Sequence, residues 1–422
     1  MVNLLLARRF GPLFVTQFLG AFNDNLFKTA FIFLVTFRLR ADDPVGAATL
    51  ATVAAGVFIA PYVLFSGLAG SLADRRDKAA IASWVKVAEI AFMALGAAAL
   101  ALESEAFCLV VLALMGLHST IFGPVKYAIL PQHLAEGELL LGTGLVEGAT
   151  FVAILLGQIA GGLLSADAAA VVAMSFAVLG WLASRFIPPA PSEMPGPVEL
   201  NPLTTTRSAL AMAFSIRPLA IATLAISWFW ALGAVYTSQF VPLARNNLGG
   251  NEAVATLFLA AFSIGVALGS GLVSRLLRGR VSVRLAAPAG LVMALAGVDL
   301  YFAEAAFVLS PAIDVAGFLA RPAGWRVLAD LVVIAVAGGI FSVPLYGILQ
   351  TATPPSRRAS AIAANNIVNA AFQIVAVLAI GVALSLGATV PLVLAGAGLS
   401  ILVLLPWFRG FPSPPADAKR RT

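Results

Sequence analysis

Charge is scarce in this sequence. Of its 422 residues only 11% are Asp, Glu, Lys or Arg, against about 25% in a soluble globular chain, and 60% are hydrophobic. Too few polar side chains remain to coat a water-soluble globule, so lipid is the solvent. Cysteine is almost absent: Cys108 stands alone, which excludes a disulfide framework and a cysteine-based metal cluster. The two histidines, His118 and His133, lack the spacing of a metal site, so no metal is expected. No Gly-x4-Gly-Lys-Ser/Thr loop occurs, which excludes direct use of ATP, and no cofactor is expected.

What is present is a series of apolar runs, most of them longer than the ~20 residues a helix needs to cross a bilayer. They predict an all-α membrane protein with spans at 11–37, 49–72, 80–102, 106–129, 142–165, 168–187, 217–244, 252–276, 285–308, 327–350, 360–386 and 388–408. The first run is interrupted by Asn23, Asp24, Asn25 and Lys28, so it reads as a retained span and not as a cleaved leader.

The net charge of +6 follows from orientation and needs no nucleic-acid partner. With both termini cytoplasmic, Arg8, Arg9, Arg75, Arg76, Lys78, Arg185, Arg207, Arg217, Arg275, Arg278, Arg280, Arg284, Arg357, Arg358, Arg409, Lys419, Arg420 and Arg421 fall inside. Only Arg38, Arg40, Arg245, Arg321 and Arg326 fall outside. That bias obeys the positive-inside rule and requires an even number of crossings, in agreement with twelve. Between the sixth and seventh spans the run from Pro188 to Pro197 holds five prolines, which forbid a continuous helix. The expected organisation is an N-terminal six-helix bundle at 1–187, a cytoplasmic linker at 188–216, a C-terminal six-helix bundle at 217–409 and a tail at 410–422.

Two six-helix halves around a central loop resemble the major facilitator fold, in which the substrate path lies between the halves. Gly70-Ser71-Leu72-Ala73-Asp74-Arg75-Arg76 resembles the loop 2–3 motif of that superfamily. There Gly70 would let helices approach, and Asp74, with Arg75 beside it, would accept from a helix N-terminus or an arginine across a gate. The matching stretch of the second half, Gly269 to Arg275, keeps glycines and lacks the acid.

Ionisable residues inside a membrane are costly and ask for a function or a partner. Asp24 and Lys28, beside Asn25, are four residues apart on one helical face, close enough to pair or to hold a polar head group. Lys126 lies between Pro124 and Pro131, where it could snorkel to the interface or meet a phosphate or Glu147 of the fifth span. Asn366, Asn369 and Gln373 share a face of the eleventh span, as head-group ligands or as glue between helices. Gln239 and Arg245 could admit a head group, Lys86 and Glu89 read as a structural pair, and Asp299 has no assigned role.

Three segments carry a closer resemblance: Gln17 to Asn25, Gly123-Pro124-Val125-Lys126-Tyr127, and Phe341 to Tyr346 with Ala363-Ala364-Asn365-Asn366. They resemble the bacterial lysophospholipid transporter family, including its members fused to an acyltransferase and an acyl-acyl-carrier-protein synthetase. The resemblance implies an inner-membrane flippase that delivers lysophospholipids to the cytoplasmic leaflet for re-acylation, as a single chain, with Asp24, Asn25, Lys126 and Glu147 in or near its path. The seventh span, Phe229 to Gln239, lacks an arginine that some stand-alone members carry and reads more like the fused type. Re-acylation would belong to a separate acyltransferase or synthetase, since Gly123 and Glu138 stand where a His-x4-Asp signature needs aspartate. The alternatives are a facilitator-type exporter of drugs or other small amphiphiles and, outside transport, a membrane acyl-transfer enzyme built on His133 with Glu136 or Glu138.

Overall fold

The computed structural model describes residues 2–307, 313–409 and 411. The expected tail therefore lies outside the described residues, Phe411 excepted. Twelve helices are long and apolar enough to cross a membrane. We number them α1 (Gly11–Leu34), α2 (Pro44–Arg75), α3 (Lys78–Ala101), α4 (Glu105–Ala128), α5 (Glu136–Leu163), α6 (Ala166–Ser184), α7 (Arg217–Pro242), α8 (Glu252–Leu276), α9 (Ala286–Ala305), α10 (Pro322–Thr351), α11 (Arg358–Ser385) and α12 (Val390–Ser400, extended by a tighter turn over Ile401–Phe408).

Local chemistry sets the helix starts. Asp43, Asp77, Ser104, Ser165, Asn251 and Thr389 each accept a backbone N–H from the first turn of the helix they precede. Proline occupies the first turn of α1, α2, α7, α10 and α12, where its missing N–H costs nothing. One expectation needs correction. Helix α5 starts at Glu136, six residues before the expected 142, because Glu136 and Glu138 favour a helix N-terminus and Glu138 accepts from the Ala135 N–H at 3.1 Å. Within the linker, after its proline run, a further helix forms, Pro202–Ser215, capped by Asn201.

The contact pattern repeats after six helices. α1 packs on α5 as α7 packs on α11, α2 on α4 as α8 on α10, and α3 on α6 as α9 on α12. Between the two sets the main contacts are α2 with α11 and α5 with α8. Glycines bring backbones together at these seams. A side-chain carbon at Gly70 of α2 would lie 2.6 Å from Ala363 Cβ of α11, and one at Gly148 of α5 would lie 3.1 Å from Ala267 Cα of α8. The linker helix lies across α2, α11 and α7 and so marks one end of the bundle, the linker end. At the opposite, far end, Arg38 pairs with Glu103, Arg40 with Glu105, and Asp299, unassigned from sequence, with Arg326.

Candidate functional site

A cavity of about 320 Å³ opens between the two sets of helices. Its polar lining includes Asp24, Asn25 and Lys28 from α1, Lys126 from α4, and Asn366, Asn369 and Gln373 from α11. Its apolar lining includes Phe58, Ile59, Phe122, Ile154 and Trp230. Spacing explains the convergence. Gln17, Ala21, Asp24 and Lys28 recur at three and four residues along α1, His118, Phe122 and Lys126 at four along α4, and each stripe faces the same space.

Within that space the expected partners rearrange. Asp24 and Lys28 share the wall but form no ion pair. The Asp24 carboxylate instead accepts from the Ser119 hydroxyl of α4, and Lys28 Nζ lies 5.7 Å from the centre of the Phe58 ring. Lys126 likewise does not reach Glu147: its Nζ lies over the Tyr127 ring at 4.9 Å, and the Tyr127 hydroxyl donates to Glu147. Glu147 is wholly buried behind the cavity wall, eleven residues into α5, about 16 Å along the helix axis. The amides are divided between tasks. Asn369 accepts from Ser227 of α7 at 2.7 Å, while Asn366 projects towards α4 into room that exists because Gly123 has no side chain. Gln239 stands apart: it is buried outside the cavity and donates to Ser238 at 3.2 Å.

Residues not singled out from sequence complete the site. Tyr62, Ser119, His118 and Thr150 line it, and their signal was position on the stripes and not charge. Towards the linker end an aromatic floor joins four helices. Tyr127 and Tyr346 stack at 4.6 Å, Trp230 donates to the Tyr346 hydroxyl at 2.9 Å, and Phe151 stacks on Trp230 at 5.4 Å. Beneath the floor Gln350 of α10 accepts from Thr143 of α5 at 2.9 Å and donates to the Tyr127 carbonyl of α4 at 3.2 Å.

Asp74 closes the same end. Its carboxylate accepts the backbone N–H of Ala359 at 2.9 Å, that of Ser360 at 3.0 Å and the Ser360 hydroxyl at 2.6 Å, at the N-terminus of α11. Of the two partners expected from sequence, the helix terminus is the one it meets. Arg75 points at Gly196 of the linker, whose carbonyl accepts from Arg76 at 2.8 Å. The linker is stitched on further by Ser192, which donates to the Asp74 carbonyl at 2.5 Å, and by Asp77, which accepts from the Ala190 N–H at 3.0 Å. Among the described residues α1 and α7 share no extensive contact that would form a comparable seam at the far end.

Lys86 and Glu89 do form the expected pair, inside a larger buried group. Glu89 also accepts from Asn23 at 2.9 Å, and His118 Nε2 lies 3.1 Å from its other oxygen. Among the described residues no cluster of His, Cys, Asp and Glu could hold a metal ion.

Comparison with known proteins places this geometry in context. The family profile described as Major Facilitator Superfamily matches residues 13–325. The lysophospholipid transporter LplT of Escherichia fergusonii is 30% identical over 346 residues, covering 80% of this chain and 78% of its own. LplT of Escherichia coli strain K12 is 28% identical over 402 residues, covering 93% of this chain and 92% of its own. Among solved structures, the human organic anion transporter MFSD10 superposes with a TM-score of 0.76 at 15% identity, over 94% of this chain and 99% of its own. The major facilitator transporter FucP in the outward conformation gives 0.69 at 12% identity, over 94% of this chain and 97% of its own. At such identities these two speak for the fold alone.

Proposed function

This chain belongs to the Major Facilitator Superfamily, and from that premise we propose that it moves lysophospholipids across the bacterial inner membrane by alternating access between the halves 1–187 and 217–409. It is a multi-pass membrane transporter and not an enzyme. The direction we infer is inward, to the cytoplasmic leaflet, where a separate acyltransferase or acyl-acyl-carrier-protein synthetase re-acylates the product.

The observation that carries the substrate reading is the mixed lining of the central cavity. A lysophospholipid offers a phosphate, an amine or glycerol, and one acyl chain. Lys28 and Lys126 supply two cations for the phosphate, Asp24 a carboxylate for an amine, and Asn25, Asn366 and Gln373 amide groups for what remains. Phe58, Ile59, Phe122 and Ile154 give the start of the chain an apolar wall. A sugar would leave that wall unused. The rest of the chain has lipid close by, because α2 and α11, joined at Gly70 and Asp74, are the least covered of the central helices. Only 12% and 28% of their most apolar stretches are buried. Since α7 carries no arginine between Phe229 and Gln239, the phosphate depends on the two lysines, which act as point charges without a fixed fork.

Two features support the direction: the linker end is sealed by Asp74, Gln350 and the stacked tyrosines, and the bias of arginine favours that end and both termini facing the cytoplasm. The state described is then one loaded from the periplasmic side. As gating residues Gly70, Asp74 and Arg75 would part when the halves rock.

The test is uptake of labelled lysophosphatidylethanolamine into spheroplasts of a host lacking its own lysolipid transporter, with and without this chain. Accumulation that depends on the chain and is lost in Asp24→Asn supports the reading. No accumulation with protein shown to be inserted overturns it in favour of export of small amphiphiles, which resistance to such compounds would then display.

A further inference from the structure

A second and larger hollow, about 960 Å³, lies away from the central cavity, where the loop joining α8 to α9 meets the end of α12. Its rim carries Arg280, Arg284 and Arg409, and its walls are Leu291, Leu402 and Leu405. No carboxylate lines it, and none of the three arginines belongs to an ion pair among the described residues. Arg284 donates to the Leu276 carbonyl at the end of α8 at 2.9 Å, which holds that guanidinium on the rim while its fork keeps further donors. The apolar wall continues onto the outer surface of the bundle through Leu291, 47% exposed.

Three like charges around one hollow repel each other unless an anion sits between them. The apolar groove below them would be left to lipid in any case. We propose that this crevice binds one anionic phospholipid, with its phosphate on Arg280, Arg284 and Arg409 and its acyl chains along the groove between α9 and α12. This is a site for a resident lipid, separate from the transport cavity and independent of which head group that cavity carries. The chain's own residues 412–422 are a poor occupant, since Lys419, Arg420 and Arg421 outnumber Asp417.

The experiment is native mass spectrometry of the full chain in a neutral detergent, offered equal amounts of phosphatidylglycerol and phosphatidylcholine. Wild-type protein is expected to retain phosphatidylglycerol preferentially. Retention should fall roughly fivefold for each of Arg280→Ala, Arg284→Ala and Arg409→Ala. Arg409→Lys, which keeps the charge, should retain most of it, and Arg185→Ala, an exposed arginine elsewhere, should change nothing. Undiminished retention in the triple alanine variant overturns the site, as does equal loss in Arg185→Ala or in Arg409→Lys. Full displacement by millimolar inorganic phosphate would show a free-anion site and not a lipid site.

Discussion

Asn23 and Asp24 are neighbours on α1, about 100° apart around its axis, and meet different surroundings. Asn23 turns into a buried group in which Glu89 meets Lys86, His118 and Asn23 itself, His118 alone of them also reaching the cavity wall. Asp24 turns into the central cavity, where Ser119 is its one hydrogen-bond partner. Both settings hold carboxylate and lysine inside the membrane, yet only one leaves its charges free to meet a third party. The contrast teaches that an ionisable residue in a span is not by itself a sign of a site. What distinguishes a site is that the polar groups around it do not satisfy one another.

Glu89→Leu should test the buried group most severely. It strands Lys86 without its counter-charge, and breaking a buried pair costs about 3–5 kcal/mol. The expected result is loss of monodisperse protein or a large drop in melting temperature. The double change Lys86→Met with Glu89→Leu should recover most of that loss. If the double variant is as unstable as the single one, the group is more than a self-contained structural unit.

Asp74→Asn asks whether closure can be undone at a moving seam. Its carboxylate holds three donors of α11, and weakening hydrogen bonds to a charged group costs about 1.5–3 kcal/mol. Labelling of a cysteine placed at the linker end should increase as that end opens, with little change in melting temperature. Unchanged labelling would remove Asp74 from the gate. Asp24→Asn should then give the converse of Glu89→Leu: uptake of lysophosphatidylethanolamine reduced about tenfold, or about 1.4 kcal/mol, with the melting temperature preserved. A variant that transports normally but melts early would reverse the roles assigned to the two neighbours. The smallest effect is expected from Tyr346→Phe, which removes the hydroxyl that accepts from Trp230 and costs about 0.5–1.5 kcal/mol, read as a slightly lower melting temperature.

The twelve spans were legible because hydrophobic length is a local property. The start of α5 was hidden by reading Glu136 and Glu138 as loop, although acids belong in a helix's first turn. The linker helix was hidden by the prolines before it, although Asn201-Pro202 is a cap followed by a first-turn proline. At the site, spacing along one helix identified the stripe of Asp24 and Lys28 but could not choose their partners. Ser119 and Phe58 come from α4 and α2, and only packing brings them there. The same holds for Tyr127, which stands between Lys126 and Glu147 because its ring is stacked on Tyr346 of α10.

The junction of Asp74 with the first turn of α11 also sets a mechanical ratio. Helix α11 has 28 residues, so it extends about 42 Å from that junction. A tilt of about 10° pivoting there sweeps its far tip through about 7 Å over that same length, while the atoms at the pivot barely separate. Three hydrogen bonds at the short arm thus fix the angle at which the long arm stands.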